Sequence, residues 1–336
     1  MVTLHTLVGH EQPVRVLTGA IAAGRLHHAL LFHGPEAVGK RTAALAAAAS
    51  LLCQDEARPE GGACGRCPAC NKVDKGIHPD LKYVTLEKTV VPIDAIRALR
   101  QEAGYRPFEG RCRVFIIDPA ERMSHEAQNA LLKTLEEPPP AAFLILVTSR
   151  PAQLLPTTRS RCQAIAFGTM PPDELASLLR RERGLDEPGA WRAARLASGR
   201  YGAAMELDLE THDAAREEMI QVLERLSVPG SRRHVLDDAE RLGTDTVEIA
   251  ARLDVLEGLL RDMMLLGWGA PPVLLLSADR AEELETLARR LSSDPSALVA
   301  MMERVAAARS DLDRNVQRKL LAETLLFDLA RTGGTG

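Results

Sequence analysis

A stretch near the N-terminus carries most of the residues that a phosphate-binding loop needs: Gly34-Pro-Glu-Ala-Val-Gly39-Lys40-Arg41-Thr42. In such loops, glycines permit backbone turns that aim N–H groups at phosphates, a lysine neutralises them, and a hydroxyl in the next position binds Mg²⁺. Here Arg41 occupies the hydroxyl position, and a helical step of about 100° turns the side chain of Thr42 away from the metal. The candidate ligands are Gly34, Gly39, Lys40 and Thr42, and binding of ATP with Mg²⁺ is left open.

Asp118 is a further candidate ligand of that site, because it ends the apolar run 113–117. A strand of this form delivers an aspartate to the Mg²⁺ of a bound nucleotide. In hydrolytic sites a glutamate follows directly to orient the attacking water, but Pro119 stands there and Glu121 lies two residues further on. Two roles for Asp118 therefore stay open, as a metal ligand or as a cap on the loop after the strand.

Four of the six cysteines fall in one short segment, at Cys53, Cys64, Cys67 and Cys70. Paired C-x2-C turns allow one Zn²⁺ to collect four thiolates tetrahedrally, which leaves no open position for a reacting water. We expect a structural zinc, with a pair of disulfides as the alternative that a reducing compartment disfavours. Cys112 and Cys162 lie outside the segment and are expected to act as small hydrophobic residues.

The elements that position these residues alternate between buried strands and helices. Strands are predicted at residues 29–32, 81–86, 113–117, 143–147 and 163–167, and helices at 40–52, 93–103 and 124–137. Such alternation implies a parallel sheet covered on both faces. Beyond residue 168 only helical leucine spacing recurs, so the predicted fold class is α/β plus all-α. Three domains are expected: 1–168 with a zinc module at about 53–70, 169–210 and 211–332.

The overall charge limits the general classes of partner. The formal net charge is −4 and the isoelectric point is near 6.2, so no global basic surface attracts nucleic acid or an anionic membrane. The start of the chain lacks a charged segment followed by an apolar one, and no apolar run reaches the roughly 18 residues of a membrane span. We expect a soluble, cytoplasmic protein.

Three segments follow the phosphate loop and the cysteines in order: Asn129-Ala-Leu-Leu-Lys-Thr-Leu-Glu-Glu-Pro138, Thr148-Ser149 and Ser160-Arg161-Cys162. Together with the opening Val8-Gly9-His10, they resemble the bacterial clamp-loader subunits of the AAA+ superfamily. The resemblance covers essentially the whole chain and is strongest from residue 7 to residue 167. It implies an AAA+ sheet domain carrying the zinc module, a small helical lid domain and a helical collar domain for oligomerisation.

The same resemblance implies the partners. They are a delta subunit and gamma or tau subunits in a hetero-pentamer, which opens the sliding clamp and places it on primed DNA, with no role for a membrane. In those subunits the arginine of the Ser-Arg-Cys segment, here Arg161, reaches into a neighbouring subunit's ATP site. A guanidinium suits that task, because it is always charged, forks onto phosphate oxygens and stabilises charge during γ-phosphoryl transfer.

Gamma-type subunits also carry a nucleotide-binding arginine where this chain has Gly202. With Arg41 and Pro119, this makes three changes that weaken one site by removing a cation, a metal ligand and a base. Each such contact can contribute several kcal/mol to catalysis, so we expect no useful ATP hydrolysis. The expected function is a structural clamp-loader subunit that donates Arg161 in trans.

Two alternatives to this function remain. The chain could be an active ATPase of the gamma or tau kind, in which Thr42 and Glu121 serve as relocated ligands. It could also be a stand-alone zinc-module DNA binder, which the acidic isoelectric point and the lack of interleaved basic and aromatic residues disfavour.

Overall fold

The computed structural model describes residues 2–84, 86, 90–228, 235–243, 245–291, 295–312 and 316–333. These fall into two compact units, Met1–Glu206 and Leu207–Gly336. The predicted boundary at residue 168 lies inside the first unit, and the division into three domains stays a prediction.

A five-stranded parallel sheet forms the centre of the first unit. Its strands are β1 (Ala29–His33), β2 (Leu81–Val84), β3 (Arg113–Ile117), β4 (Ala142–Thr148) and β5 (Gln163–Ala166). Their order across the sheet is β2-β3-β4-β1-β5, and every pairing is parallel. β2 is shorter than predicted, because it ends at Val84 and Leu86 belongs to no strand, while residue 85 lies outside the described residues.

Both faces of this sheet are buried, as the continuous apolar runs of its strands require. Alternate residues of β3 show the pattern: Val114 and Ile116 join one hydrophobic cluster with helix α2 (Lys40–Leu52), whereas Phe115 and Ile117 join another on the opposite face. Six alanines of α2 are fully buried. Their small side chains let the helix lie close to the strands and so fix the position of the loop that precedes it.

Helices make up the rest of the first unit. Besides α2 they are α1 (Glu11–Ala22), α3 (Pro68–Asp74), α4 (Ile93–Ala103), α5 (His125–Glu136), α6 (Pro156–Arg159), α7 (Pro172–Arg183), α8 (Glu187–Leu196) and α9 (Tyr201–Glu206). The Ser124 hydroxyl caps α5 by accepting the N–H of Ala127 at 3.1 Å. The helix ends at Glu136, one residue before its predicted end, and Pro138 shortly after it cannot continue a helix.

The described residues of the second unit form helices joined by turns, with no strand among them. Its helices are α10 (Leu209–Leu226), α11 (Val235–Arg241), α12 (Thr246–Gly267), α13 (Ala281–Leu291), α14 (Pro295–Leu312) and α15 (Arg318–Gly333). Aliphatic side chains from these helices form one core, which explains how so few aromatic residues suffice. The predicted fold class, α/β plus all-α, is confirmed. Among the described helices, none is both long and apolar enough to cross a membrane.

Candidate functional site

The phosphate-binding loop joins β1 to α2 at the carboxyl end of the parallel sheet. Gly39 has a φ of 99°, in the left-handed region that favours glycine, and α2 begins at the next residue. Gly34 has a φ of 146°, and a Cβ added there would stand 2.0 Å from the carbonyl oxygen of Phe167. Both glycines are therefore required by the backbone path, as the motif predicts.

Lys40, the predicted phosphate ligand, is bound to the loop itself. Its Nζ donates to the carbonyl oxygen of Gly34 at 2.7 Å and to that of Pro35. The side chain is buried, and burial lowers the pKa of Lys40, although nearby carboxylates led by Glu121 oppose this shift. A phosphate would have to compete with these carbonyl groups for the ammonium.

Two further contacts close the loop from outside. His10 Nε2 donates to the carbonyl oxygen of Val38 at 2.6 Å. The N–H of Gly202 donates to the carbonyl oxygen of Ala37 at 2.7 Å. A Cβ at residue 202 would stand 2.8 Å from the Ala37 oxygen. The glycine at the position of the missing arginine thus permits α9 to approach the loop.

Arg41 stands beside the carboxylate predicted to hold Mg²⁺. Its Nε lies 3.8 Å from Asp118 Oδ2, and its guanidinium carbon lies 5.8 Å from the centroid of the Tyr83 ring. Burial raises the pKa of Asp118, and the Arg41 charge opposes this shift. The pair is too exposed at the arginine end to contribute more than about 1 kcal/mol, but it places a cation beside the carboxylate that would bind the metal. Asp118 thus has a role that neither sequence interpretation included.

Glu121 also faces this site. Its Oε1 accepts the N–H of Ser149 at 3.1 Å and the Ser149 hydroxyl at 2.8 Å. Burial alone would raise the pKa of Glu121, but hydrogen bonds from its own backbone N–H, from Ser149 and from the Thr148 side chain bring it below the ordinary value. The carboxylate is therefore ionised at neutral pH and is oriented by the end of β4.

An open cavity of about 510 Å³ collects most of the predicted nucleotide-site residues. Its lining includes Gly39, Lys40, Thr42, Asp118, Glu121 and Gly202. Gly34 takes part through its carbonyl group, which accepts from Lys40. The structure thus brings the predicted set together, but Lys40 and Glu121 already have hydrogen-bond partners within the chain.

The four clustered cysteines form a separate site, with all four sulfur atoms within 4.8 Å of one another. Cys53 Sγ lies 3.9 Å from Cys67 Sγ, and Cys64 Sγ lies 3.9 Å from Cys70 Sγ. A tetrahedral Zn²⁺ at about 2.3 Å from each thiolate places the sulfurs about 3.8 Å apart. The donor set and its spacing therefore fit a metal ion such as zinc, as predicted.

Backbone groups support the thiolate form of these cysteines. The N–H groups of Cys64, Cys67 and Cys70 point at neighbouring sulfur atoms at 3.3 to 3.4 Å. Burial opposes ionisation, yet backbone N–H donors from Cys70 and Gln54 lower the pKa of Cys67 to about 6. Cys67 also caps the N-terminus of α3. Burial raises the pKa of the Cys64 and Cys70 thiols, so of these three cysteines only Cys67 is favoured as a thiolate by the chain itself.

The cysteine segment is joined to two helices of the first unit. Arg58 Nη1 donates to the carbonyl oxygens of Ser50 and Cys53, at 2.8 and 3.0 Å, and so closes the end of α2. Gly61 approaches α1 so closely that an added Cβ would stand 2.0 Å from the carbonyl oxygen of Thr18. A metal in the cluster would therefore fix the segment against α1 and α2.

Arg161 lies away from the phosphate loop and is not among the described residues that line its cavity. Its Nη2 lies 2.7 Å from Glu136 Oε1, and its Nη1 donates to the carbonyl oxygen of Thr157 at 3.0 Å. The side chain is 36% exposed. The neighbouring Cys162 is partly buried, and burial raises the pKa of its thiol to about 11.

Sequence reasoning missed the partners of the two arginines. Tyr83 and Glu136 contact Arg41 and Arg161 across more than twenty residues of chain, and no periodicity or motif signals such pairs. Glu136 does belong to the segment 129–138, which resembles the clamp-loader subunits. Its position at the end of a helix stopped by proline is the only hint that its side chain would project toward the next helix.

Comparison with known proteins gives matches along the chain. Residues 9–171 match the family described as DNA polymerase III, delta subunit. The DNA polymerase III delta prime subunit of Escherichia coli K12 is 34% identical over 319 residues, covering 93% of this chain and 91% of that protein. The delta prime subunit of Bacillus subtilis is 29% identical over 324 residues, covering 94% of each.

Other relatives match less of the chain or match it more weakly. The gamma/tau subunit of Mycobacterium tuberculosis H37Rv is 38% identical over 176 residues, covering 52% of this chain and 30% of that protein. A solved structure of a gamma subunit-related protein from Thermotoga maritima covers 94% of this chain and 99% of its own, with 17% identity and a TM-score of 0.45.

Proposed function

Because this chain belongs to the family of DNA polymerase III delta prime subunits, we propose that it is a non-hydrolysing clamp-loader subunit that donates Arg161 to a neighbouring ATP site. The contrast between its two groups of charged residues carries the proposal. In the cavity, Lys40 is engaged by the loop carbonyls and Glu121 by Ser149, whereas Arg161 lies outside the cavity with its side chain 36% exposed.

The cavity is poorly equipped for hydrolysis. Arg41 replaces the hydroxyl ligand and stands beside Asp118, so Mg²⁺ would have to bind next to a cation. Pro119 occupies the position of the catalytic base, and Gly202 contacts the loop where an arginine would contact phosphate. Losing such contacts costs several kcal/mol each in transition-state stabilisation. Any nucleotide binding is therefore weak and unproductive in this proposal.

The proposed partners are a delta subunit, gamma or tau subunits, the sliding clamp and primed DNA, in a cytoplasmic hetero-pentamer. With a net charge of −4, the chain contacts DNA locally and within the complex, not through a general basic surface. The zinc is structural, since four thiolates complete its coordination. The lid at residues 169–210 and the collar at 211–332 complete the proposed arrangement.

A second candidate function has one observation in its favour. Thr42 and Glu121 both line the cavity, as relocated ligands of an active gamma- or tau-type ATPase would. Against it, Glu121 is engaged by Ser149 and Lys40 by the loop carbonyls. ATP turnover by the chain alone that disappears in Lys40→Ala would favour this second function.

The test reconstitutes the loader with its partner subunits and clamp and follows ATP hydrolysis in a single turnover. Arg161→Ala is expected to slow the phase that depends on the neighbouring site by about 10³-fold or more, the usual effect of losing such an arginine. Lys40→Ala should leave that phase nearly unchanged. Arg159→Ala, an exposed arginine two residues away, is the matched control. Equal losses from Lys40→Ala and Arg161→Ala would contradict the proposal.

A further inference from the structure

Arg161 is held within its own chain by a carboxylate. Glu136, the last residue of α5, places Oε1 2.7 Å from Arg161 Nη2. On the other side, the carbonyl oxygen of Thr157 in α6 accepts from Arg161 Nη1 at 3.0 Å. The guanidinium is therefore fixed at two points by the ends of two helices.

These two contacts leave donors for a phosphate. A guanidinium has five N–H groups in a rigid fork, of which the two contacts use one on each terminal nitrogen. The Nε–H and the second hydrogen of each terminal nitrogen remain. Since α5 ends at Glu136, the negative end of its helix dipole also favours a cation there. The arrangement orients the fork without occupying all of it.

We propose that Glu136 is a positioning residue, which sets the direction in which Arg161 leaves this chain and thereby the rate of phosphoryl transfer in the neighbouring site. This inference rests on the proposed function of Arg161. A free arginine side chain samples many rotamers, and ordering it only when the transition state forms would slow the reaction. Glu136 and Thr157 order it beforehand.

The pair is well placed for a test that separates function from folding. The side chains of Glu136 and Arg161 are 50% and 36% exposed, and ion pairs of this kind add little to stability. Glu137, the next residue of the same segment, is also exposed, and its charge gives a matched control one position away. Glu136→Gln and Glu137→Gln each remove one negative charge from the end of α5.

In the reconstituted loader, Glu136→Gln should lower kcat for ATP by about 10-fold, as misplacement of a catalytic group does, while KM for ATP changes little. Glu137→Gln should have the kcat and KM of the unmodified protein. The melting temperatures of both variants should equal that of the unmodified protein. The double variant of Glu136→Gln with Arg161→Ala should be no slower than Arg161→Ala alone, because Glu136 acts through the arginine.

The outcomes distinguish the two proposals. If Arg161→Ala slows hydrolysis but Glu136→Gln leaves kcat unchanged or raises it, Glu136 does not position the arginine, and the function of Arg161 stands. A raised kcat would mean that Glu136 competes with phosphate for the guanidinium. If Arg161→Ala itself has no effect, both proposals are wrong. Equal losses in Glu136→Gln and Glu137→Gln would also overturn the positioning role, since only one of them contacts Arg161.

Discussion

Replacing Gly202 by alanine tests whether α9 holds the phosphate loop closed. The Gly202 N–H donates to the Ala37 carbonyl at 2.7 Å, and a Cβ on residue 202 would stand 2.8 Å from that oxygen. The backbone must therefore move apart and lengthen or break the hydrogen bond. Ala37 has a φ of 58°, an uncommon conformation that this bond helps to hold. Gly19→Ala is the matched control, because Gly19 is helical and an added Cβ meets nothing within 4 Å.

The two variants should change the free energy of unfolding in opposite directions. Alanine stabilises a helix interior by about 1 kcal/mol relative to glycine, so Gly19→Ala should raise the free energy of unfolding by up to this amount. Gly202→Ala gains at most the same helix stabilisation and loses a hydrogen bond that contributes about 1 kcal/mol. The loss is no larger because Ala37 is exposed, so water can partly replace the lost donor. We expect the free energies of unfolding of the two variants to differ by about 1–2 kcal/mol. This corresponds to a difference of about 2–8 °C in melting temperature for a unit of this size.

Calorimetry on the full chain measures the melting difference, and hydrogen exchange of the amide at residue 202 reports on the bond itself. Exchange should be slow in the unmodified protein and faster in Gly202→Ala, with no change in Gly19→Ala. If both variants raise the melting temperature equally and the amide exchanges rapidly in the unmodified protein, the contact between α9 and the loop does not form in solution.

The remaining predictions concern the metal cluster and pH. Undenatured protein should contain one zinc ion per chain, and Cys64→Ser should lower the melting temperature and release the metal; elemental analysis that finds no metal would refute this. Hydrogen bonds from its own backbone N–H, from Ser149 and from Thr148 hold the pKa of Glu121 below its ordinary value of 4.5, so the stability they add is complete above that value and is lost as pH falls through the folded pKa. Ser149→Ala should therefore destabilise the protein at neutral pH and make its stability fall less steeply in acid. If the free energy of unfolding changes with pH in the same way in Ser149→Ala and in the unmodified protein, this account is wrong.

Local chemistry made the first unit predictable. The strand at 113–117 could be recognised because a strand buried on both faces must be apolar throughout, and the start of α2 because Gly39 and Lys40 belong to a motif with a fixed backbone shape. The four-cysteine cluster could likewise be predicted, since spacing alone brings Cys64, Cys67 and Cys70 around one point. In each case the cause lies within a few residues of its effect.

Contacts between distant residues could not be predicted in this way. Arg41 was interpreted as a missing ligand, and only the parallel pairing of strands places Asp118 and Tyr83 near enough to surround it. Gly202 was interpreted as a missing arginine, although its N–H makes a contact that a larger residue would obstruct. A motif shows what an altered position no longer does, but the fold determines what it does instead.

The internal bonds of the phosphate loop have a consequence for how this chain behaves as cellular energy supply changes. An ATPase needs its nucleotide to satisfy the lysine and the loop amides, so its shape follows the ratio of ATP to ADP. Here the Lys40 ammonium and the carbonyl groups of Val38 and Ala37 already have partners from the chain itself. These contacts hold the loop without a nucleotide, so we expect the first unit to keep one conformation, and any surface that it offers to a neighbour to stay constant, in starved and in growing cells.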